Sequence, residues 1–300
     1  MELKNYDELI AMVQAAPMVN GAITACDDHT IEAACHAYKE NVLQPIFIGN
    51  KKDIIAYIRE FGCDEKDFEI IQEDDPLQTP YIACDLVNAG KAAIVMKGFI
   101  DTSDFLRGIL DKERGLRTGN PMSHVAILQI PNYPKLLAVT DGGMMTNPDY
   151  DAKVRIVENA VEMFRGMGYE CPKVAALTAV EKPNKAMPET EDARALQEAN
   201  RNGEIKNCII EGPVSYDIAV SKEAAEKKKF DGECSGDYDI FLVPNISAGN
   251  LLSKAIIYHG GAKMSGIILG AKVPLVLNSR SASAEEKFYA ICLSVASTLH

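Results

Sequence analysis

The 300-residue sequence contains no uninterrupted apolar run long enough to cross a bilayer. Nor does it carry a block of Lys and Arg: 43 acidic residues outweigh 31 basic ones, for a net charge of −12. Such a chain is a poor partner for nucleic acid or an anionic membrane surface, both of which are held first through their phosphates. A small anion stays open to it, since one site needs only a few local cations and backbone donors. The eight cysteines (26, 35, 63, 84, 171, 208, 234 and 292) form no CxxC pair, and the five histidines show no metal-ligand spacing. Reduced thiols acting as small hydrophobes, and no structural zinc, are expected. The glycines at 260–270 do not make GxGxxG and no GxxxxGK[ST] loop occurs, so nothing signals NAD or ATP. The opening MELKNYDELIAMVQAAP lacks the cationic start and apolar centre of a signal peptide, and the expected location is the cytoplasm.

What is present is a large apolar fraction, 47%, arranged in a regular rhythm. Helical spacing at 6–16, 30–38, 52–61 and 81–89 alternates with short strand-like runs at 21–26, 45–48, 68–71 and 92–96. Short apolar strands separated by amphipathic helices predict crossover units and a mostly parallel sheet, an α/β fold. The pattern changes after Met122. VAILQI and KLLAVTD are separated only by Pro131-Asn132-Tyr133-Pro134, too short for a helical crossover, and read as an antiparallel pair. Strands and helices then alternate again through VPLVLN to a closing helix, in which Phe288, Ile291, Cys292 and Val295 mark one buried face. The length suits two domains, and no low-complexity linker separates them. An inserted second domain is expected, residues 141–267, with 1–140 and 268–300 forming the first.

Polar residues and glycines follow several strands: Thr140-Asp141-Gly142-Gly143, Glu211-Gly212-Pro213, Pro244-Asn245 and Asn278-Ser279-Arg280. Carboxyl ends of parallel strands are where α/β folds hold ligands, although turns also demand these residue types. Arg280, between an apolar strand and a helix start, suits a phosphate or carboxylate. Ser283-Ala284-Glu285-Glu286 fits a capping box as well as it fits a chemical carboxylate. A second cationic stretch holds Lys97-Gly98 and Asp101-Thr102-Ser103-Asp104-Phe105-Leu106-Arg107, with Thr102 or Ser103 as the expected N-cap and Arg107 about a turn into the helix. The run KERGLRTGN reads as a glycine-broken loop whose arginines serve solubility. Ser123 and His124, adjacent on a strand, point to opposite faces and cannot act together as nucleophile and base.

The segments VMKGFIDTSDFLRGIL, LLAVTDGGMMTNPD, EGPVSYDIAVS and YDIFLVPNISAGNLLSKAIIYHGGAKMSGIILGAKVPLVLNSRSASAEEK resemble the phosphate acetyl/butyryl transferase family, its butyryl-type branch above all. The resemblance implies two α/β/α lobes of isocitrate/isopropylmalate-dehydrogenase type with an active-site cleft between them, and a homodimer or higher homo-oligomer. It implies reversible acyl transfer: acyl-CoA and inorganic phosphate give acyl phosphate and free CoA, with CoA a substrate and no cofactor. The family's serine-arginine pair and the acid seven residues after the serine fall on Ser279, Arg280 and Glu286. Its helix arginine falls on Arg107, its acidic-glycine-proline turn on Glu211 and Asp217, and its "PN..(A/T)GN" segment on Asn245 and Asn250, with Lys254 a turn later. Lys97, Thr102, Asp141 and Gly142 complete the expected binding residues. Two departures stand out. The acetyl-type enzymes carry aspartate where this chain has Glu286, with Glu285 beside it, and a further arginine of that type has no match near Pro121, leaving its task to Ser123 or Lys97. The alternatives are a different acyl specificity, a non-catalytic CoA-sensing domain, an acyl-carrier-protein:phosphate transacylase, and a dehydrogenase of the same fold acting on a hydroxy-acid.

Overall fold

A computed structural model describes residues 2–278 and 282–299. The elements run α1 (Tyr6–Gln14), β1 (Val19–Thr24), α2 (Asp28–Lys39), β2 (Leu43–Gly49), α3 (Lys51–Glu60), β3 (Glu69–Gln72), α4 (Thr79–Asn88), β4 (Ile94–Lys97) and α5 (Thr102–Ile109). They continue with β5 (Ser123–Gln129), β6 (Leu137–Thr140), α6 (Tyr150–Gly166), β7 (Lys173–Leu177), α7 (Pro188–Arg201), β8 (Ile209–Val214), α8 (Tyr216–Val220) and α9 (Lys222–Lys228). The last are β9 (Ile240–Leu242), α10 (Ile246–Gly260), β10 (Lys263–Leu269), β11 (Leu275–Val276) and α11 (Ala284–Ala296). No helix among the described residues is long and apolar enough to cross a membrane.

The chain divides into two compact units, one of residues 7–120 and 265–300, the other of residues 1–6 and 121–264. In the first, strands lie in the order β3-β2-β1-β4-β11-β10. β3, β2, β1, β4 and β11 are mutually parallel, and β10 runs antiparallel to β11. In the second, the order is β5-β6-β9-β7-β8. Here β5 and β6 form the expected antiparallel pair, Val125 opposite Thr140 and Leu128 opposite Leu137, and the other pairings are parallel. The boundary between units precedes this hairpin, where the sequence pattern placed it near residue 140: the ladder joining β5 to β6 keeps both strands in one core.

Local chemistry sets the helix starts. Asp27, Asn50, Asp149 and Asn245 each cap a helix by accepting from a backbone N–H of its first turn. At α5 the expected cap was Thr102 or Ser103. The structure instead gives Asp101 the extended conformation at the N-cap, so Thr102 is already helical. Helix α11 differs from its expected single buried face, because every residue from Lys287 to Ala296 is buried. It packs on α2 and on β4 and β11, which close around it. The strand expected at VPLVLN shrinks to Leu275–Val276. The pair α8 and α9 had no periodicity long enough to announce it. Arg114, expected only to aid solubility, pairs with Asp85 and lies 5.3 Å over the Tyr81 ring, tying its loop to α4.

Candidate functional site

In the unit of residues 7–120 and 265–300, β1, β4 and β11 are neighbours and parallel, so their carboxyl ends converge. A pocket of about 310 Å³ opens there, within the range of small-molecule sites. It is lined by residues 27–30 at the start of α2, residues 97–99 at the end of β4 and just after it, Asn278 after β11, and Lys287 of α11. Gly98 makes the crossing possible. A Cβ there would lie 2.3 Å from Ala25 O and 2.4 Å from Thr24 O, and the Gly98 N–H donates to Thr24 O at 2.9 Å.

Lys97, the last residue of β4, is buried, and its ammonium donates to Gly98 O at 3.0 Å and Ile100 O at 2.8 Å. Asp27 accepts from Thr30 N at 2.9 Å and Asp28 from His29 N at 2.7 Å, so both carboxylates serve the first turn of α2. Phe99 stands exposed at the rim. On α11, Glu286 accepts from Ser283 N at 2.7 Å while its own N–H donates to Ser283 Oγ at 3.1 Å, a complete capping box. Glu285 accepts from the Tyr289 hydroxyl. Ser279 and Arg280 lie outside the described residues. Arg107 is largely exposed and pairs with Asp104 at 2.8 Å, one turn back on α5.

The other unit gathers a second set. Parallel pairing of β6 with β9 brings the turn after Thr140 beside the start of α10. Asp141, 2% exposed, accepts from the backbone N–H groups of Gly143, Met144 and Met145 at 2.8, 2.8 and 3.1 Å, which organises the whole turn. Gly142 packs against Gly249 and Asn250 so closely that a Cβ on Gly249 would lie 2.7 Å from Gly142 Cα. Asn245 caps α10 through Ala248 N at 3.0 Å, and Asn250 and Lys254 are exposed along that helix. His124, on β5, presses its ring against Gly143 and leaves Nδ1 buried without a partner among the described residues. Burial holds this imidazole below its usual range, against the opposing pull of Asp141. Its neighbour Ser123 accepts from Asn159 Nδ2 at 2.9 Å, so the two make no catalytic pair.

Glu211 and Asp217 are not part of that set. Glu211, on β8 at the far end of its sheet, accepts from Glu233 N at 2.7 Å, Cys234 N at 3.4 Å and the Tyr238 hydroxyl. Asp217 accepts from Ser215 Oγ at 2.6 Å and pairs with Lys228 at 2.9 Å. Both carboxylates are engaged in holding their own loops. Asn278, singled out in the sequence only as part of the turn after the last strand, lines the pocket, and sequence reasoning missed Lys287. Lys287 follows an acid in a capping box, and its burial depends on how α11 packs.

The site is that of an α/β protein with a pocket at the carboxyl ends of parallel strands, which two lysines and two aspartates line. The chain belongs to the family described as phosphate acetyl/butaryl transferase, whose model matches residues 76–295. It is 40% identical over 293 residues to the phosphate butyryltransferase of Clostridium acetobutylicum, covering 97% of each chain. It is 39% identical to the phosphate acetyltransferase of Thermotoga maritima, covering 96% of this chain and 98% of that one. Among solved structures, a branched-chain phosphotransacylase from Enterococcus faecalis V583 superposes with a TM-score of 0.82 at 32% identity, over 94% of this chain and 100% of that one. The protein is thus a phosphate acyltransferase.

Proposed function

We propose that the enzyme transfers a short-chain acyl group, with butyryl preferred, reversibly between CoA and inorganic phosphate. The observation that carries this reading is the 40% identity to a phosphate butyryltransferase along 97% of the chain. A nearly equal identity to a phosphate acetyltransferase makes acetyl the competing acyl group. The substrates are acyl-CoA and phosphate in one direction, acyl phosphate and CoA in the other. No resident cofactor takes part. Lobes of isocitrate/isopropylmalate-dehydrogenase type, with the substrates held in a cleft, and a homo-oligomeric assembly belong to the same proposal.

Both substrates bind together and react directly, without a covalent acyl-enzyme, because holding them side by side supplies the proximity term. In the acyl-phosphate-forming direction, a phosphate oxygen bonds to the thioester carbonyl carbon and the carbon–sulfur bond breaks. The electron pair leaves on sulfur, and the proton released by phosphate ends on the CoA thiol. Glu286 carries that proton, and in reverse it takes the thiol proton so that the thiolate can attack. Arg280 holds the phosphoryl group bidentately, and the Ser279 hydroxyl donates to the developing oxyanion. Lys97, Thr102 and Arg107 support the anionic ends of the substrates.

The test is phosphate-dependent release of free thiol from a series running from acetyl-CoA to hexanoyl-CoA, with a branched member included. A maximum at four carbons is the expected result. A maximum at two reassigns the acyl group, and no release from any of them ends the transferase reading for this chain.

A further inference from the structure

Lys287 is 6% exposed and lines the pocket, yet among the described residues no carboxylate or other acceptor partners its ammonium. A second orphan lines the same pocket: Asn278 Oδ1 is sealed from solvent and accepts no hydrogen bond among the described residues. Buried cations and buried acceptors are ordinarily satisfied, because desolvation without a partner is costly. Two of opposite need around one cavity point to a ligand that supplies both negative charge and a donor hydrogen. Inorganic phosphate near neutral pH does both, since it carries charged oxygens and at least one P–OH group.

We infer that this pocket is the inorganic-phosphate subsite, with Lys287 pairing a charged oxygen and Asn278 accepting from the P–OH. Lys97 adds a second buried cation, already anchored on Gly98 O and Ile100 O. Asp27 and Asp28 also line the cavity. Their negative charge disfavours the fully deprotonated ion and so favours the form that keeps a proton for Asn278. The assignment rests on the transferase reading and adds to it two residues that the family resemblance does not supply. It also places them in chain order around the reacting positions, Asn278 just before Ser279 and Lys287 just after Glu286. An acyl phosphate, whose phosphoryl group holds its remaining proton less tightly, fits Asn278 less well. The subsite therefore favours phosphate as the incoming substrate.

The test measures thiol release as a function of phosphate and of acyl-CoA for the wild type, Lys287→Met, Lys287→Arg and Asn278→Ala. Lys287→Met is expected to raise the KM for phosphate about tenfold or more with the KM for acyl-CoA little changed, and Lys287→Arg to recover part of the loss. Asn278→Ala is expected to raise the phosphate KM by about threefold, and it carries the test alone if Lys287→Met fails to fold. An unchanged phosphate KM in the folded variants overturns the assignment. If the wild type releases no thiol at all, the transferase reading has failed. Calorimetric titration with inorganic phosphate then decides the subsite by itself: binding to the wild type that Lys287→Met abolishes sustains it, and equal binding or none overturns it.

Discussion

Two buried lysines, one in each unit, show two uses of an interior charge. Lys135, 2% exposed, lies 2.7 Å from Asp239, 3.0 Å from Asp237 and 3.1 Å from Glu2. Lys173 shares Asp237, and the Lys173 N–H donates to Asp239 at 2.7 Å. Burial pushes the Asp239 carboxyl up, and the Lys135 contact opposes that push. In this network every charge has an opposite charge within ion-pair distance. Lys287 is buried almost as deeply, at 6%, and has no such partner among the described residues. A paired interior charge is expensive to break, whereas an unpaired one is already costly and is retained where a ligand completes it. Burial alone does not distinguish structural from functional lysines; the inventory of partners does.

The largest effect expected is on stability. Lys135→Met leaves three carboxylates around an apolar side chain and should cost about 3–5 kcal/mol, read from chemical denaturation. Lys287→Met should leave stability within about 1 kcal/mol or raise it. Equal losses in the two variants would erase the contrast between the units. Next comes Arg280→Ala, which should lower turnover by about 10²–10³-fold while the melting temperature holds. A wild-type rate would remove the phosphoryl anchor from the mechanism. Glu286→Gln is a cleaner probe than its size suggests. Glutamine at N3 preserves a capping box, so the helix start survives and the rate should fall by about 10²-fold or more. Full activity in that variant with loss in Glu285→Gln would move the base by one residue.

The smallest effect is acid-dependent. Ser215 and then Lys228 hold the Asp217 carboxyl down to about 2, from an ordinary 3.8. Lys228 and then Ser215 lower Glu181 as well. A carboxylate depressed in the folded state stabilises the protein above its unfolded pKa, and that gain is lost as the proton binds on acidification. Stability from this exposed cluster should therefore fall between about pH 4 and pH 2, and Lys228→Met should flatten that part of the profile. An unaltered acid limb in the variant would show that the cluster adds nothing to stability.

Much of this was written in the chain. The apolar strands with helical spacing between them required a parallel α/β arrangement, and Pro131–Pro134 left room only for a hairpin between β5 and β6. The capping box at Ser283–Glu286 was legible because its residues lie within one turn of each other. The partners of Glu211 are remote in sequence and could not be read from it. Glu211 looked like a ligand-binding acid after a strand, yet Tyr238 and the backbone at 233 and 234 occupy it. Asp141 organises its own turn through donors only two to four residues on.

Periodicity, caps and turns are local, so the sequence by itself determined the class of fold, most of its elements and the motifs at 279–286. Partnership is not local. Which lysine is neutralised and which is left facing a cavity depends on carboxylates brought from segments about a hundred residues apart, as Asp237 and Asp239 are brought to Lys135. Only the tertiary structure decided that Lys287 is buried at the same pocket as Asn278 with no partner among the described residues, because burial on all sides of α11 is a property of what packs around it.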